Sequence, residues 1–281
     1  MSRGPLRAPI LPMRDYAVLR FTIPLSLEGA LREELYRHPC LGLEYSQQDH
    51  ALQARAYFEA DFRWESLRDL WTRRWPELVW EGETLIRLPE AGEAREEGMQ
   101  SLSLLGQDLV LVRGPAFGSG AHPTTRLAAE LLAGLDLSGR AVLDVGTGSG
   151  ILAILAKRRG AGRVAAVEIL PEARAAAAAN FRANGAMGIE LLSELRDCRG
   201  RFDAVIANIL APTLLALREP MLRRLRPEGM LLLSGMLRSE REAILRAFRP
   251  GGIMREISDQ DWLALALAGF TPDPNESASG L

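Results

Sequence analysis

The chain has 281 residues, enough for one large domain or two smaller ones with a real core. A formal net charge of -2 gives no polycationic footprint and argues against free nucleic acid as a direct partner. Cys40 and Cys198 lack metal or redox spacing, so they read as buried thiols in a reducing compartment, with no metal site expected.

The N-terminal M-S-R-G-P-L-R-A-P-I-L-P-M-R is broken by prolines and arginines, and no run of about 18 apolar residues follows. A cytoplasmic chain without a membrane partner is expected. Residues 16–23 read as a strand, and 26–37 as a helix with Leu27, Leu31 and Leu35 on one face. Residues 41–46 and 51–59 read as two more strands. Trp64, Leu67, Leu70, Trp71 and Trp75 recur at three- and four-residue steps, which predicts a helix whose aromatic stripe packs against a domain. Short strands are expected at 84–88 and 109–112, with an acidic loop at 90–98.

From Leu127 the pattern alternates. Helices are predicted at 127–135, 151–159, 171–184, 212–225 and 239–248. Strands are predicted at 141–145, 163–168, 189–192, 202–207, 230–234, 253–257 and 262–268. Alternation of this kind implies a mostly parallel, doubly wound sheet with helices on both faces. The last two of its seven strands lack an intervening helix, unlike the six-stranded dinucleotide-binding plan. The division expected is a small α+β domain over 1–60, a helical linker with connecting strands over 61–113, an α/β domain over 114–270 and a disordered tail over 271–281.

Two glycine-rich stretches carry the chemistry. The second, D-V-G-T-G-S-G over 144–150, follows a strand and opens a helix. Its glycines, Gly146, Gly148 and Gly150, depart from the G-x-G-x-x-G dinucleotide spacing, which would need glycine at Ile151. The next strand ends at Glu168, where a carboxylate can accept both hydroxyls of a ribose. Asp144, at the mouth of the turn, suits a cationic or amino-bearing ligand better than a pyrophosphate. S-adenosylmethionine has a ribose, an amino group and a sulfonium, and fits this set better than NAD.

These residues carry a family resemblance. A-F-G-S-G-A-H-P-T-T (116–125), D-V-G-T-G-S-G-I-L-A-I (144–154), A-N-I-L-A (207–211) and the closing D-W-L-A-L (261–265) resemble blocks of the PrmA-type class I methyltransferases. L-W-T-R-R-W-P-E-L-V-W-E-G-E-T-L-I-R-L-P (70–89) more weakly resembles that family's tryptophan-bearing link. The resemblance implies a seven-stranded, Rossmann-like methyltransferase domain with a small N-terminal α+β domain that reads the substrate. It implies S-adenosylmethionine as donor, held by Thr125, Gly146, Glu168 and Asn208, and a monomer that methylates the large-subunit ribosomal stalk protein on lysine or N-terminal amines. Asp144, Gly148 and Phe117 join the expected donor site, with Phe117 offering an apolar face. Asn208, directly after a strand, is the candidate catalytic residue, orienting the acceptor amine. His122 reads either as a site residue or as a cap or packing group. Ser119 replaces the family's usual threonine, and Val-Glu-Ile-Leu stands where many members have D-x-D. Other readings remain: a same-fold methyltransferase for another protein or a small molecule, a non-catalytic ribosome-associated donor binder, or a nicotinamide-dependent oxidoreductase.

Overall fold

A computed structural model of the chain describes residues 13–40, 42–48, 51–89, 99–112, 120 and 122–270. The first four strands, β1 (Met13–Pro24), β2 (Gly42–Gln48), β3 (Ala51–Glu59) and β4 (Val79–Pro89), form one antiparallel sheet in the order β2-β3-β1-β4. Helix α1 (Glu28–Tyr36) sends Leu31 and Leu35 into the core, and α2 (Glu65–Arg74) sends in Leu67 and Trp71. Of the predicted stripe, Leu67, Trp71 and Trp75 are buried and pack, whereas Leu70 is exposed. Trp71 is fully buried, edge-on to Phe21 of β1 with ring centroids 6.3 Å apart. Residues 84–88, placed by sequence in the linker, belong to the longer strand β4, which pairs with β1 from Met13 opposite Pro89 to Thr22 opposite Val79. Non-local pairing of this kind leaves no local signal in the sequence.

A separate hairpin, β5 (Met99–Leu104) with β6 (Gln107–Val112), precedes the α/β portion. Sequence reading found only its second arm.

The large sheet runs β12-β13-β11-β10-β7-β8-β9. Its parallel strands are β7 (Ala141–Val145), β8 (Arg163–Val167), β9 (Ile189–Leu192), β10 (Phe202–Asn208) and β11 (Leu225–Leu237). The closing hairpin, β12 (Gly252–Asp259) with β13 (Trp262–Ala268), adds antiparallel strands, β13 lying against β11. Helices α3 (Pro123–Ala133), α4 (Ile151–Arg158) and α5 (Pro171–Ala183) lie on one face, whose core includes Val142, Val164, Ala166, Ile206, Leu232 and Ala264. Helices α6 (Ala211–Ala216), α7 (Arg218–Arg224) and α8 (Arg241–Ala247) cover the other, over Leu143, Val145, Ala165, Val205, Leu233 and Leu265. Alternate residues of each strand are thus buried on opposite faces, which is why the strands read as near-continuous apolar runs. The single helix expected at 212–225 is two helices broken at Leu217, and its last residue is already the first of β11.

The chain winds outward from β7 in both directions, through β8 and β9 on one side and β10 and β11 on the other. The gap between the carboxyl ends of β7 and β10 is therefore the topological switch point, where open α/β sheets bind ligands.

Candidate donor-binding site

Gly146 directly follows β7 and Asn208 ends β10, so the two residues flank that switch point. Gly146, Gly148 and Gly150 have φ of 72°, 54° and 82°. All three occupy the left-handed region that favours glycine, so the G-x-G-x-G spacing is a conformational requirement. At Gly146 a Cβ would also lie 2.4 Å from Ile209 Cγ2. The turn is sewn to β8 by the N–H groups of Gly146 and Thr147, both donating to the Val167 carbonyl at 2.9 Å.

Glu168 follows β8 and is nearly buried. Gly148 N–H donates to its Oε2 and Leu170 N–H to its Oε1, each at 3.0 Å. Burial pushes this carboxyl above its usual value, while the Leu170, Gly148 and Ile169 amides and the Arg174 charge pull it down. Arg174 holds the backbone here by donating to the carbonyls of Glu168 and Ile169 at 2.7 Å. A carboxylate oxygen has lone pairs left after one backbone bond, so Glu168 can still accept hydroxyls.

On the far side of the switch point, Asn208 Nδ2 donates to Thr125 Oγ1 at 3.3 Å. That bond leaves Asn208 Oδ1 buried with no hydrogen-bond partner. Thr125 is fully buried in the first turn of α3. The start of that helix is fixed by His122, the N-cap, whose ring accepts from Thr124 N–H and packs edge-on against Trp262 at 4.8 Å. Of the alternatives for His122, the capping and packing role is the one the structure displays. Phe117 and the rest of 113–119 lie outside the described residues.

Asp144 is completely buried beneath the turn. Thr147 Oγ1 donates to its Oδ2 at 2.5 Å, and Oδ1 has no hydrogen-bond partner. Burial pushes this carboxyl up to about 7, against the Thr147 hydroxyl and the Ala153 N–H, and the Glu168 charge adds to the rise. The folded value thus lies above the ordinary 3.8, so between roughly pH 4 and 7 the native state holds a proton that the unfolded chain has lost. Asp144 therefore costs stability as pH rises through that window, on the order of 4 kcal/mol at most. Asp144→Asn removes the titration. Its melting temperature relative to wild type is expected to climb from pH 4.5 to 7 in calorimetry; a constant offset would contradict this.

Part of this set lines one cleft of about 1340 Å³, with Thr125 and Asp144 buried behind it rather than on its wall. It includes Gly146, Gly148, Glu168 and Asn208, and reaches Arg37, His38 and Cys40 just beyond α1. Sequence reading placed Cys40 only as a buried thiol and did not bring this segment to the site. It also missed Asn180 of α5, fully buried with Nδ2 donating to the Ser149 carbonyl of the glycine turn at 2.7 Å. The available signal was a pair of asparagines one turn apart in an alanine-rich helix.

The geometry agrees with comparisons to known proteins. The family model described as ribosomal protein L11 methyltransferase (PrmA) matches residues 107–269. The chain belongs to that family. The ribosomal protein L11 methyltransferase of Chromohalobacter salexigens is 36% identical over 214 residues, 74% of this chain and 69% of the relative. That of Dechloromonas aromatica is 42% identical over 161 residues, 57% of this chain and 54% of the relative, so this match spans about half the relative's length. A solved ribosomal protein L11 methylase from Lactobacillus delbrueckii subsp. bulgaricus has a TM-score of 0.54 at 36% identity, over 57% of this chain and 83% of that one. A T. thermophilus 16S rRNA methyltransferase has a TM-score of 0.53 at 18% identity, over 89% of this chain and 65% of that one, and shares the fold alone. Membership of this family sets aside the nicotinamide-dependent oxidoreductase. No helix among the described residues is long and apolar enough to cross a membrane.

Proposed function

We propose that this chain is an S-adenosylmethionine-dependent protein N-methyltransferase acting on ribosomal protein L11, the stalk protein of the large subunit. Its acceptors in this reading are lysine side-chain amines and the N-terminal amine. The enzyme works as a cytoplasmic monomer. The observation that carries the reading is Asn208, whose buried Oδ1 is left without a partner at the switch point because Nδ2 is committed to Thr125.

The residues present fit the donor. Asn208 Oδ1, Asp144 Oδ1 and Glu168 are all acceptors, two of them carboxylates. A ligand bringing hydroxyls, an amine and a positive charge complements them, whereas a pyrophosphate would set negative charge against two acids. Thr125, Gly146, Gly148, Glu168, Asn208 and Asp144 would hold it. When bound, S-adenosylmethionine supplies a methyl group already activated on a sulfonium. The protein's own task is then alignment and preparation of the acceptor. A lysine must first lose its proton, which at pH 7 costs about 4.6 kcal/mol from its reference pKa. Desolvation in the cleft lowers the amine pKa and offsets part of that cost. Asn208 Oδ1 accepts a hydrogen bond from the remaining N–H, aims the lone pair, and leaves the released proton to water. Arg37, His38 and Cys40, which line the same cleft, support the N-terminal unit as the part that meets the protein substrate.

The test is mass spectrometry of purified ribosomal protein L11 after incubation with this protein and the donor. Mass gains in single-methyl steps are expected, mapped to lysines or the N-terminus by fragmentation. Donor binding without any gain would move the acceptor elsewhere, and absence of donor binding would end the reading. Asn208→Ala is expected to lower kcat about a hundredfold. Normal turnover with normal donor binding would remove Asn208 from its role.

A further inference from the structure

Helix α5 is rich in alanine but carries Asn180, and Asn184 caps it one turn later. Asparagine is a weak helix former, and a buried one must have its amide satisfied. Asn180 has no exposed surface, and both ends of its amide are engaged. Its Oδ1 accepts from Val112 N–H at 2.6 Å, and its Nδ2 donates to the Ser149 carbonyl at 2.7 Å. Val112 is the last residue of β6, from which the chain runs directly into the first glycine-rich stretch. Ser149 belongs to the second. One side-chain amide therefore ties the end of β6 to the body of the second glycine turn.

Asn184 works beside it. Val110 N–H donates to Asn184 Oδ1 at 3.0 Å, and Asn184 Nδ2 donates back to the Val110 carbonyl at 2.6 Å. Together the two amides meet β6 at alternate residues, as a neighbouring strand would. That accounts for a two-stranded hairpin, marginal by itself, holding its place beside the parallel sheet. The hairpin in turn stands close against Gly120. A Cβ at Gly120, where φ is +82°, would lie 2.6 Å from Leu102 Cδ1 of β5 and 3.2 Å from Ile151 Cδ1 of α4. In the second loop, Gly150 is backed by the ring of Phe181, the residue after Asn180, at 2.5 Å from where a Cβ would stand.

We propose that Asn180 is a positioning residue for the donor site, fixing the second glycine turn against the end of β6 through Val112 and Ser149. This rests on the donor-binding reading above. Asn180 acts on the ligand only through the backbone it holds. The test compares full-length wild type with Asn180→Ala, Asn180→Asp and Asn184→Ala. Alanine removes both bonds. Aspartate, nearly isosteric, keeps the acceptor for Val112 but sets an oxygen against the Ser149 carbonyl. Asn184→Ala loosens the hairpin without touching the second loop.

Both Asn180 variants are expected to raise the Kd for S-adenosylmethionine in calorimetry, and the donor KM, about tenfold or more, with the acceptor KM unchanged. Asn184→Ala is expected to lower Tm while leaving the donor Kd within about threefold of wild type. A purely structural asparagine would lower Tm and leave donor affinity alone; that result in both Asn180 variants overturns the proposal. If Asn180→Ala does not fold, Asn180→Asp decides by the same measure. An equal rise in Kd for Asn184→Ala assigns the effect to the hairpin and overturns the proposal as well. If wild type itself binds no donor, the donor-binding reading fails and this inference falls with it.

Discussion

Gly146→Ala is expected to abolish measurable donor binding while leaving a folded protein. The residue sits at φ 72°, where any side chain costs about 1–2 kcal/mol. Its new Cβ would stand 2.4 Å from Ile209 Cγ2, and the next Ile209 atom is at 3.9 Å. Relief therefore requires either the Ile209 side chain to swing away or the turn to open. Overpacking of this kind costs about 1–3 kcal/mol more. Ile209 directly follows Asn208, so its displacement moves the residue on the other side of the switch point too. Nor can Ile209 retreat toward β11. Gly235 there faces the Ile209 backbone so closely that a Cβ would be 2.5 Å from its carbonyl oxygen. Calorimetric titration with S-adenosylmethionine checks this, beside circular dichroism as a control for folding. Wild-type affinity in the alanine variant would mean that the turn is not the donor's cradle.

Glu168→Gln is expected to weaken donor binding roughly ten- to a hundredfold, corresponding to the loss of a charge-assisted acceptor worth about 1.5–3 kcal/mol. The shape of the side chain is kept, but the hydrogen-bond pattern is not. Both carboxylate oxygens accept from backbone amides, Gly148 and Leu170. A glutamine must turn its NH2 toward one of those N–H groups, leaving two donors face to face. If the NH2 faces Gly148, the glycine turn is pushed open; if it faces Leu170, the start of α5 shifts. The effect on Tm should be the smaller one, because burial already disfavours the charge of Glu168. Glu168→Asp tests reach separately. It keeps the charge but shortens the arm, so it should lose the Gly148 contact and bind donor as poorly. Unchanged donor affinity in both variants would remove Glu168 from the site.

The parts of the site legible in the sequence are those whose chemistry is local. Gly146, Gly148 and Gly150 announce themselves because only glycine is at ease at their φ values. Glu168 was found because a strand after a glycine turn must end beside that turn in a doubly wound sheet. Asn208 was placed at a strand end by the apolar run before it. Where the reading fell short, the missing information was in part a partner distant in the chain. Of Val79–Pro89 only 84–88 read as a strand, and it was assigned to the linker because its partner, β1, lies more than fifty residues earlier. Met99–Leu104 was missed because its short alternation of apolar and serine residues is a weak signal, and it is held by pairing with β6, which the amide pair on α5 anchors. The break at Leu217 had a local cause that the reading passed over: Pro220 has no N–H for the Ala216 carbonyl and is tolerated only in the first turn of the helix that follows.

By itself, then, the sequence determined that there is a parallel sheet, where its glycine turn lies, and which acid stands beside it. These follow from backbone sterics and from period-two and period-3.6 burial, which act over a few residues. Only the tertiary structure decided that Asn208 would keep Oδ1 unpartnered, that Asn180 would tie the glycine turn to the end of β6, and that Arg37, His38 and Cys40 would line the same cleft. Each of these depends on hydrogen bonds or proximity between residues from 31 to more than 100 positions apart, and no local preference specifies such a meeting.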